Sequence, residues 1–243
     1  MDLTFQCYSM NEYDIIIGLP ICNDLESGIK AIESIVHSTR TNFKFVIVVG
    51  DSTDGTEEYC KLLPKLFNWV NFEIIFKHTR TPLDAYNIIF DKAIEEQKDL
   101  YLVQSDVIHF RLYKRDWLFE MKELSKNEDC GLVAPLGAIR QSGPSYIDGF
   151  TWIGGWACYI PLRTLNLIGG YDIKYPKGNY GVDIDYSYNV VQKGLKIYHI
   201  DYWVQHHMIN SREHDNHPDN EKHKKECAKY FRKKWKVGEF NGK

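Results

Sequence analysis

FKFVIVVGDSTDGT, residues Phe43 to Thr56, carries the reading on which the fold turns. Phe43 to Val49 is rich in β-branched residues and apolar at nearly every position, so both faces of the predicted strand are buried. The loop Gly50-Asp51-Ser52-Thr53 follows. It leads into a helix that Asp54 is expected to open, with Glu57 three residues on in capping-box spacing. The same alternation extends both ways. Upstream, Tyr13 to Leu19 (YDIIIGL) is a strand ending at Pro20, and Leu25, Ile29, Ile32 and Val36 form the apolar stripe of a helix. Downstream come a strand at Phe72 to Phe76, a helix from Pro82 to about Glu96, and a strand at Leu100 to Val103. Strand and helix in alternation, with apolar strands, predict an α/β fold: a mainly parallel sheet flanked by helices. Ligands collect at the carboxyl ends of such strands. Polar segments after Leu19, Val49 and Val103 fall there.

From about Gly131 the pattern breaks up, with Gly143-Pro144, Gly154-Gly155, Gly169-Gly170 and Gly178. A helix is predicted from Asp183 to Lys193 with Ile184, Tyr188 and Val191 on one face. A strand at Lys196 to Ile200 is extended by Tyr202-Trp203-Val204, and a basic helix starts near Glu221. The 243 residues suit one domain with a binding half to about residue 130, a second half over about 131–220, and the basic helix over about 221–243.

A net charge of -3 argues against a protein built mainly to hold nucleic acid. Glu221 to Lys236 departs from this balance, with eight Lys/Arg against two Glu and with Phe231 and Trp235 interleaved. That composition suits a polyanion or a membrane surface, and equally the solvated face of a helix. Six cysteines with no CxxC pair suit reduced thiols. The amino terminus, MDLTFQCYSMNEYD, has no basic-then-apolar signal pattern, and no apolar run approaches the roughly 20 residues that cross a bilayer. The expectation is a soluble, cytoplasmic chain.

Four polar positions carry candidate chemistry. Asp51 in GDSTDGT is placed to accept hydrogen bonds from a nucleoside, although turn and cap chemistry uses the same residue types. Asp106 in LVQSDV directly follows a strand, where one carboxylate suits a hard divalent cation beside phosphate oxygens, or simply a turn. Asp183 and Asp185 open a helix, where the dipole favours the ionised form required of a base. N-capping is the alternative. His206 and His207 follow a strand, and adjacent residues on an extended segment face opposite ways, so at most one binds metal, with His207 preferred.

In order, these segments resemble the family 2 glycosyltransferases of GT-A fold. The match is carried by DIIIGLPICND, VIVVGDSTDGT, LDAYNIIFDKA, the strand ending LVQSD, LIGGYD, GVDIDYSYNVVQKGLKIYHI and WVQHH. It runs from about Tyr13 to Trp235. Gln104 stands where the family's aspartate-any-aspartate motif has its first aspartate, and Val182 where its later acidic pair has its first member. Val49 and Gly50 stand where acidic or amide residues are usual in the nucleotide loop. The resemblance implies a nucleotide-diphospho-sugar transferase fold, a UDP- or GDP-sugar donor held by Pro20, Asp51, Asp84, Asn87, Ser105 and Asp106, and Mn²⁺ or Mg²⁺ on Asp106 and His206 or His207. It further implies Asp183 as base, inverting transfer to a glycan or other hydroxyl acceptor, and Trp152, Trp156 and Tyr180 as acceptor contacts. Two other functions compete. A sugar nucleotidyltransferase would carry a glycine-rich, lysine-bearing phosphate loop after the first strand, which GLPICND lacks. A binding module without turnover fits Gln104 and Val182.

Overall fold

The computed structural model describes residues 13–79, 81–112, 114–176, 179–207 and 219–237. The acidic amino terminus with Cys7, and Gly178, lie outside them. The chain runs β1 (Ile15–Ile21), α1 (Leu25–Ser38), β2 (Phe43–Val49), α2 (Thr56–Leu66), β3 (Asn71–Phe76), α3 (Pro82–Glu95) and β4 (Asp99–Val103). It continues β5 (Val107–His109), α4 (Trp117–Ser125), β6 (Cys130–Pro135), β7 (Ile139–Gln141), β8 (Thr151–Ile153), β9 (Ala157–Ile160) and α5 (Leu162–Ile168). Last come α6 (Val182–Gln192), β10 (Lys196–Ile200), β11 (Val204–His206) and α7 (Asn220–Trp235).

Among the described residues seven strands form one sheet in the order β10-β6-β9-β4-β1-β2-β3. The β1–β2, β2–β3, β1–β4 and β6–β10 pairs are parallel, and β9 runs antiparallel between β4 and β6. The expected α/β architecture is therefore present, with one reversed strand joining the two halves of the chain. Ile15, Ile16, Ile17 and Leu19 of β1 and Phe45 to Val48 of β2 are fully buried, as strands covered on both faces must be. On α1, Gly28 lets the helix close on the sheet: a Cβ there would lie 2.3 Å from Ile21 Cδ1.

Four local expectations change. β1 continues through Pro20 to Ile21; beyond Gly18 only β2 pairs with it, so a residue without N–H is tolerated there. Helix α2 begins at Thr56 behind Gly55 at φ 93°, a left-handed conformation that glycine adopts without strain. Tyr202-Trp203-Val204 does not prolong β10; β11 turns away and pairs antiparallel with β5. On α6 the buried residues include Tyr186 and Val190, whereas Val191 is exposed.

The basic helix α7 is docked. Cys227 and Phe231 are fully buried, and Phe231 packs edge-on against Tyr146 and Tyr188. Lys222, Lys225, Lys229, Lys233 and Lys236 remain exposed. No helix among the described residues is long and apolar enough to cross a membrane.

Candidate functional site

The loops after β1 and β2 interlock at the carboxyl ends of their strands. Asn23 N–H donates to Ser52 Oγ (3.0 Å), and Thr53 N–H donates to Asn23 Oδ1 (2.8 Å). Asp54 does not form the expected box with Glu57. Its Oδ1 accepts from Thr56 Oγ1 (2.6 Å), and its Oδ2 accepts from Leu25 N–H (2.9 Å), so it ties the start of α2 to the first turn of α1. Asp51 is freed from this work. Its carboxylate is exposed and pairs with His78 Nδ1, which follows β3. No motif in the sequence marks His78, yet it follows the third strand much as Asp51 follows the second.

At the end of β4 three consecutive residues take three directions. Gln104 Nε2 donates to Tyr86 Oη on α3 (2.9 Å), and Ser105 Oγ donates to Asp24 Oδ2 (2.5 Å). Asp106 is buried. Its Oδ1 lies 3.4 Å from His206 Nε2, and its carbonyl accepts the His207 N–H (3.0 Å). The sequence preference for His207 therefore gives way: its side chain is exposed, and the His206 imidazole faces the carboxylate. His206 is held flat against Trp156, with ring centroids 4.6 Å apart and planes at 24°.

The side chains of Asp84 and Asn87, which the resemblance implies as donor contacts, are hydrogen-bonded within the scaffold. Asp84 Oδ2 accepts from Thr81 N–H (3.0 Å) in a capping box at the start of α3. Asn87 clamps the backbone of Tyr171 in both directions, accepting from its N–H (2.8 Å) and donating to its carbonyl (3.1 Å). Gly170 makes room for that amide, since a Cβ there would meet Asn87 Oδ1 at 2.2 Å.

The same clamp leads to Asp183. Tyr171 is buried, and a Cβ on Gly155 would lie 2.6 Å from its hydroxyl and 3.3 Å from Asp183 Cβ. Because Gly155 has none, its N–H reaches Asp183 Oδ2 (3.1 Å), while Asp183 Oδ1 accepts from Ile184 N–H (3.0 Å). Asp183 sits in the first turn of α6, behind Gly181 at φ 75°. Burial raises its pKa, against the lowering pull of the Gly155 and Ile184 N–H groups. The helix dipole alone was expected to keep this group ionised; desolvation moves it the other way, which makes the carboxylate a stronger base. Asp185 has a different role. It is buried, accepts from Lys234 Nζ (2.7 Å) and Trp235 Nε1 (2.7 Å), and so anchors α7.

Of the three aromatics expected at the acceptor, Trp156 is buried against His206 and offers no open face. Trp152 is half-buried on β8 opposite Arg140, and its Nε1 is buried without a hydrogen-bond partner among the described residues. Tyr180 is half-buried, with Lys224 Nζ 5.5 Å from its ring centroid. The ends of β4 and α6 are joined by one dipeptide: Trp156 carbonyl accepts from Gln104 N–H (3.1 Å), and Gly155 N–H holds Asp183. Neither of two surface depressions beside α4, one lined by Arg40 and Asp116 and one by Glu123 and Ile200, includes any of these residues.

One carboxylate oxygen and one imidazole nitrogen, adjacent and inward-facing, form a donor set suited to Mn²⁺ or Mg²⁺ that takes its other ligands from substrate oxygens and water. Among the described residues no group of three or more His, Cys, Asp or Glu is placed to hold a metal ion. Asp106 and His206 thus fit a shared ion better than a closed protein cage.

The chain matches no protein-family model and no curated protein sequence. Its fold does match solved structures. The mannosyltransferase PcManGT from Pyrobaculum calidifontis, in complex with GDP-Man and Mn²⁺, superposes with a TM-score of 0.59 at 12% identity, covering 77% of this chain and 54% of that one. GalNAc-T7 with UDP, GalNAc and Mn²⁺ gives 0.62 at 13% identity, covering 79% and 43%. S. aureus TarS 1-349 in complex with UDP gives 0.56 at 13% identity, covering 77% and 57%. The matched part is about half of each of those chains. At this identity the likeness is one of fold, and the fold is the GT-A type of glycosyltransferases.

Proposed function

We propose that this chain transfers a sugar from a nucleoside-diphosphate donor, UDP- or GDP-linked, to an acceptor hydroxyl with inversion at the anomeric carbon. One observation carries the reading. Gln104, two residues before Asp106 at the end of β4, and Asp183 at the start of α6 bond to opposite ends of the Gly155-Trp156 dipeptide, at the carboxyl edge of a GT-A sheet. The solved neighbours of this fold hold GDP-Man or UDP, which supports a nucleotide donor.

The residues divide the work. Asp51 and His78, exposed beyond β2 and β3, are available to the nucleoside. Asp106 and His206 would hold Mn²⁺ or Mg²⁺, which supplies positive charge beside the diphosphate. Asp183 accepts the proton of the acceptor hydroxyl on a carboxylate oxygen already oriented by the Gly155 and Ile184 N–H groups. The hydroxyl oxygen then bonds to the anomeric carbon as the bond to the diphosphate breaks on the opposite face. The exposed lysines of α7 suit an anionic acceptor or surface.

The test is donor turnover. Purified protein is incubated with UDP- and GDP-sugars, with Mn²⁺, with Mg²⁺ or with chelator, and released nucleotide is measured with and without simple sugar acceptors. Metal-dependent release that increases with acceptor supports transfer. Tight nucleotide-sugar binding with no release under any condition would make the chain a binding module instead.

A further inference from the structure

Tyr86 is not among the residues that the sequence marks for chemistry, yet it touches neighbours of both carboxylates of the proposed site. It projects from α3, where its ring meets that of Tyr171 edge-on with centroids 5.5 Å apart. Tyr171 in turn abuts Gly155, which holds Asp183. On its other side, Tyr86 Oη accepts from Gln104 Nε2 (2.9 Å), two residues before Asp106. Asp106 and Asp183 both bear on the phenol electrostatically, and with burial as the larger cause they keep it protonated.

Gln104 thus has a use where a carboxylate would not serve. An aspartate at that position would accept the phenolic hydrogen. The glutamine amide donates instead, so the hydroxyl hydrogen of Tyr86 is left to point elsewhere. No protein acceptor for it occurs among the described residues, and Asp106 of the proposed cation site and Asp183, the proposed base, both act on it. The sugar-transfer reading sets the diphosphate at Asp106 and the acceptor hydroxyl at Asp183, with the transferred sugar spanning from one to the other.

We propose that Tyr86 donates a hydrogen bond to a hydroxyl of the transferred sugar, with Gln104 setting its direction, and that the site selects an uncharged sugar over a uronate. The selectivity follows from charge. Asp183 has no Lys or Arg partner among the described residues, and no cation is assigned to it, so a sugar carboxylate held beside it would be repelled. A neutral phenol offers one donor without offsetting charge. This inference rests on the sugar-transfer reading and deepens it.

The experiment compares wild type, Tyr86→Phe and Gln104→Met on matched donors, UDP-glucose against UDP-glucuronate, with UDP binding measured separately. For wild type, kcat/KM is expected to favour UDP-glucose by at least about 10-fold. Tyr86→Phe should lower kcat/KM for UDP-glucose by about 10-fold. Its affinity for UDP alone, which has no sugar to contact, and its melting temperature should stay close to wild type. Gln104→Met, which frees the phenol to rotate, should fall between the two. Equal turnover by Tyr86→Phe and wild type, or equal use of the uronate, overturns this proposal and leaves sugar transfer standing. A parallel loss of UDP affinity assigns Tyr86 to the nucleotide and also overturns it. A wild-type protein that neither binds nor turns over UDP- or GDP-sugars overturns both readings.

Discussion

Asp185 and Lys234, 49 residues apart in sequence, meet at 2.7 Å where α7 crosses α6. The acid is 3% exposed, and its second oxygen accepts from Trp235 Nε1 (2.7 Å). Lys234 also reaches Asp172 (2.9 Å), to which Tyr230 Oη donates (2.9 Å). The final helix is thus bolted to the element that presents Asp183.

Removing α7 should therefore destabilise the body, contrary to what its basic sequence alone suggests. Deletion from Asn220 onward takes Lys234 and Trp235 away from Asp185 and uncovers Tyr146 and Tyr188. Loss of the buried Phe231 ring alone costs about 2 kcal/mol. Asp185→Asn alone should show a smaller drop, because the amide still accepts from Trp235. Urea titration of both proteins checks this, and a truncated chain as stable as the full one would show α7 to be an appendage.

Gly155→Ala should separate folding from chemistry. The new methyl meets the Tyr171 hydroxyl at 2.6 Å and crowds Asp183, an overpacking cost of about 1–3 kcal/mol. Transfer should fall further than that loss of stability explains, since the Gly155 N–H no longer orients the carboxylate. The measurement is kcat at a temperature where circular dichroism shows the variant fully folded.

How far these features were legible follows from their range along the chain. β1, β2 and β4 announce themselves because burial on both faces leaves an unbroken apolar run, and the fold class rests on such strands alternating with helices. Asp106 and Asp183 stand at element ends, where position marks them as candidates beside the turn and cap readings, and the resemblance singles them out. Tyr86 and Gly155 did not show, because their partners lie 18 and 28 residues away on other elements. Asn87 is a donor contact by resemblance, and nothing local reveals its clamp on Tyr171, 84 residues on. The reversal at β9 is equally silent: ACYI carries no mark of strand direction.

His109 predicts the acid limb of stability. It is buried, with Nε2 2.8 Å from Tyr101 Oη and its ring against Trp117, and burial pushes its pKa down to about 3. Unfolded, it titrates near 6.5. Between these values the unfolded chain binds a proton that the folded chain refuses, so stability is lost as pH falls below about 6.5, by up to ~1.4 kcal/mol per pH unit. Asp183 and Asp185 act in the opposite sense, since their raised pKa values mean that the folded state takes up their protons first. Denaturation between pH 7 and 5 should show the His109 slope in wild type and its loss in His109→Phe. Identical slopes would mean that the histidine protonates in place.

The two histidines at the end of β11, His206 within it and His207 just after, should part company. His206→Ala removes the imidazole facing Asp106 and should raise the Mn²⁺ concentration for half-maximal turnover about 10-fold or more. His207→Ala should leave it unchanged, because His207 reaches Asp106 through its backbone. Asp106→Asn should lose turnover at low metal with little change in melting temperature. Metal titrations of the three variants decide it, and an effect confined to His207→Ala would reverse the assignment.

The sharpest expectation concerns Asp183. Asp183→Asn preserves size and can still accept from the Gly155 and Ile184 N–H groups, but it cannot take a proton. Transfer should therefore fall by about 10²-fold or more, while affinity for the nucleotide stays close to wild type, since no part of the donor grip passes through this side chain. The pH profile gives an independent readout. A base acts only when ionised, and burial raises the pKa of this one. Wild-type kcat/KM should thus rise with pH through an apparent pKa above the ordinary carboxylate value of about 4. The residual activity of Asp183→Asn should lack that limb. Asp185→Asn, whose acid faces α7, should keep the limb and show its defect in stability. If Asp183→Asn retains both rate and limb while Asp185→Asn loses them, the proton goes to the other carboxylate.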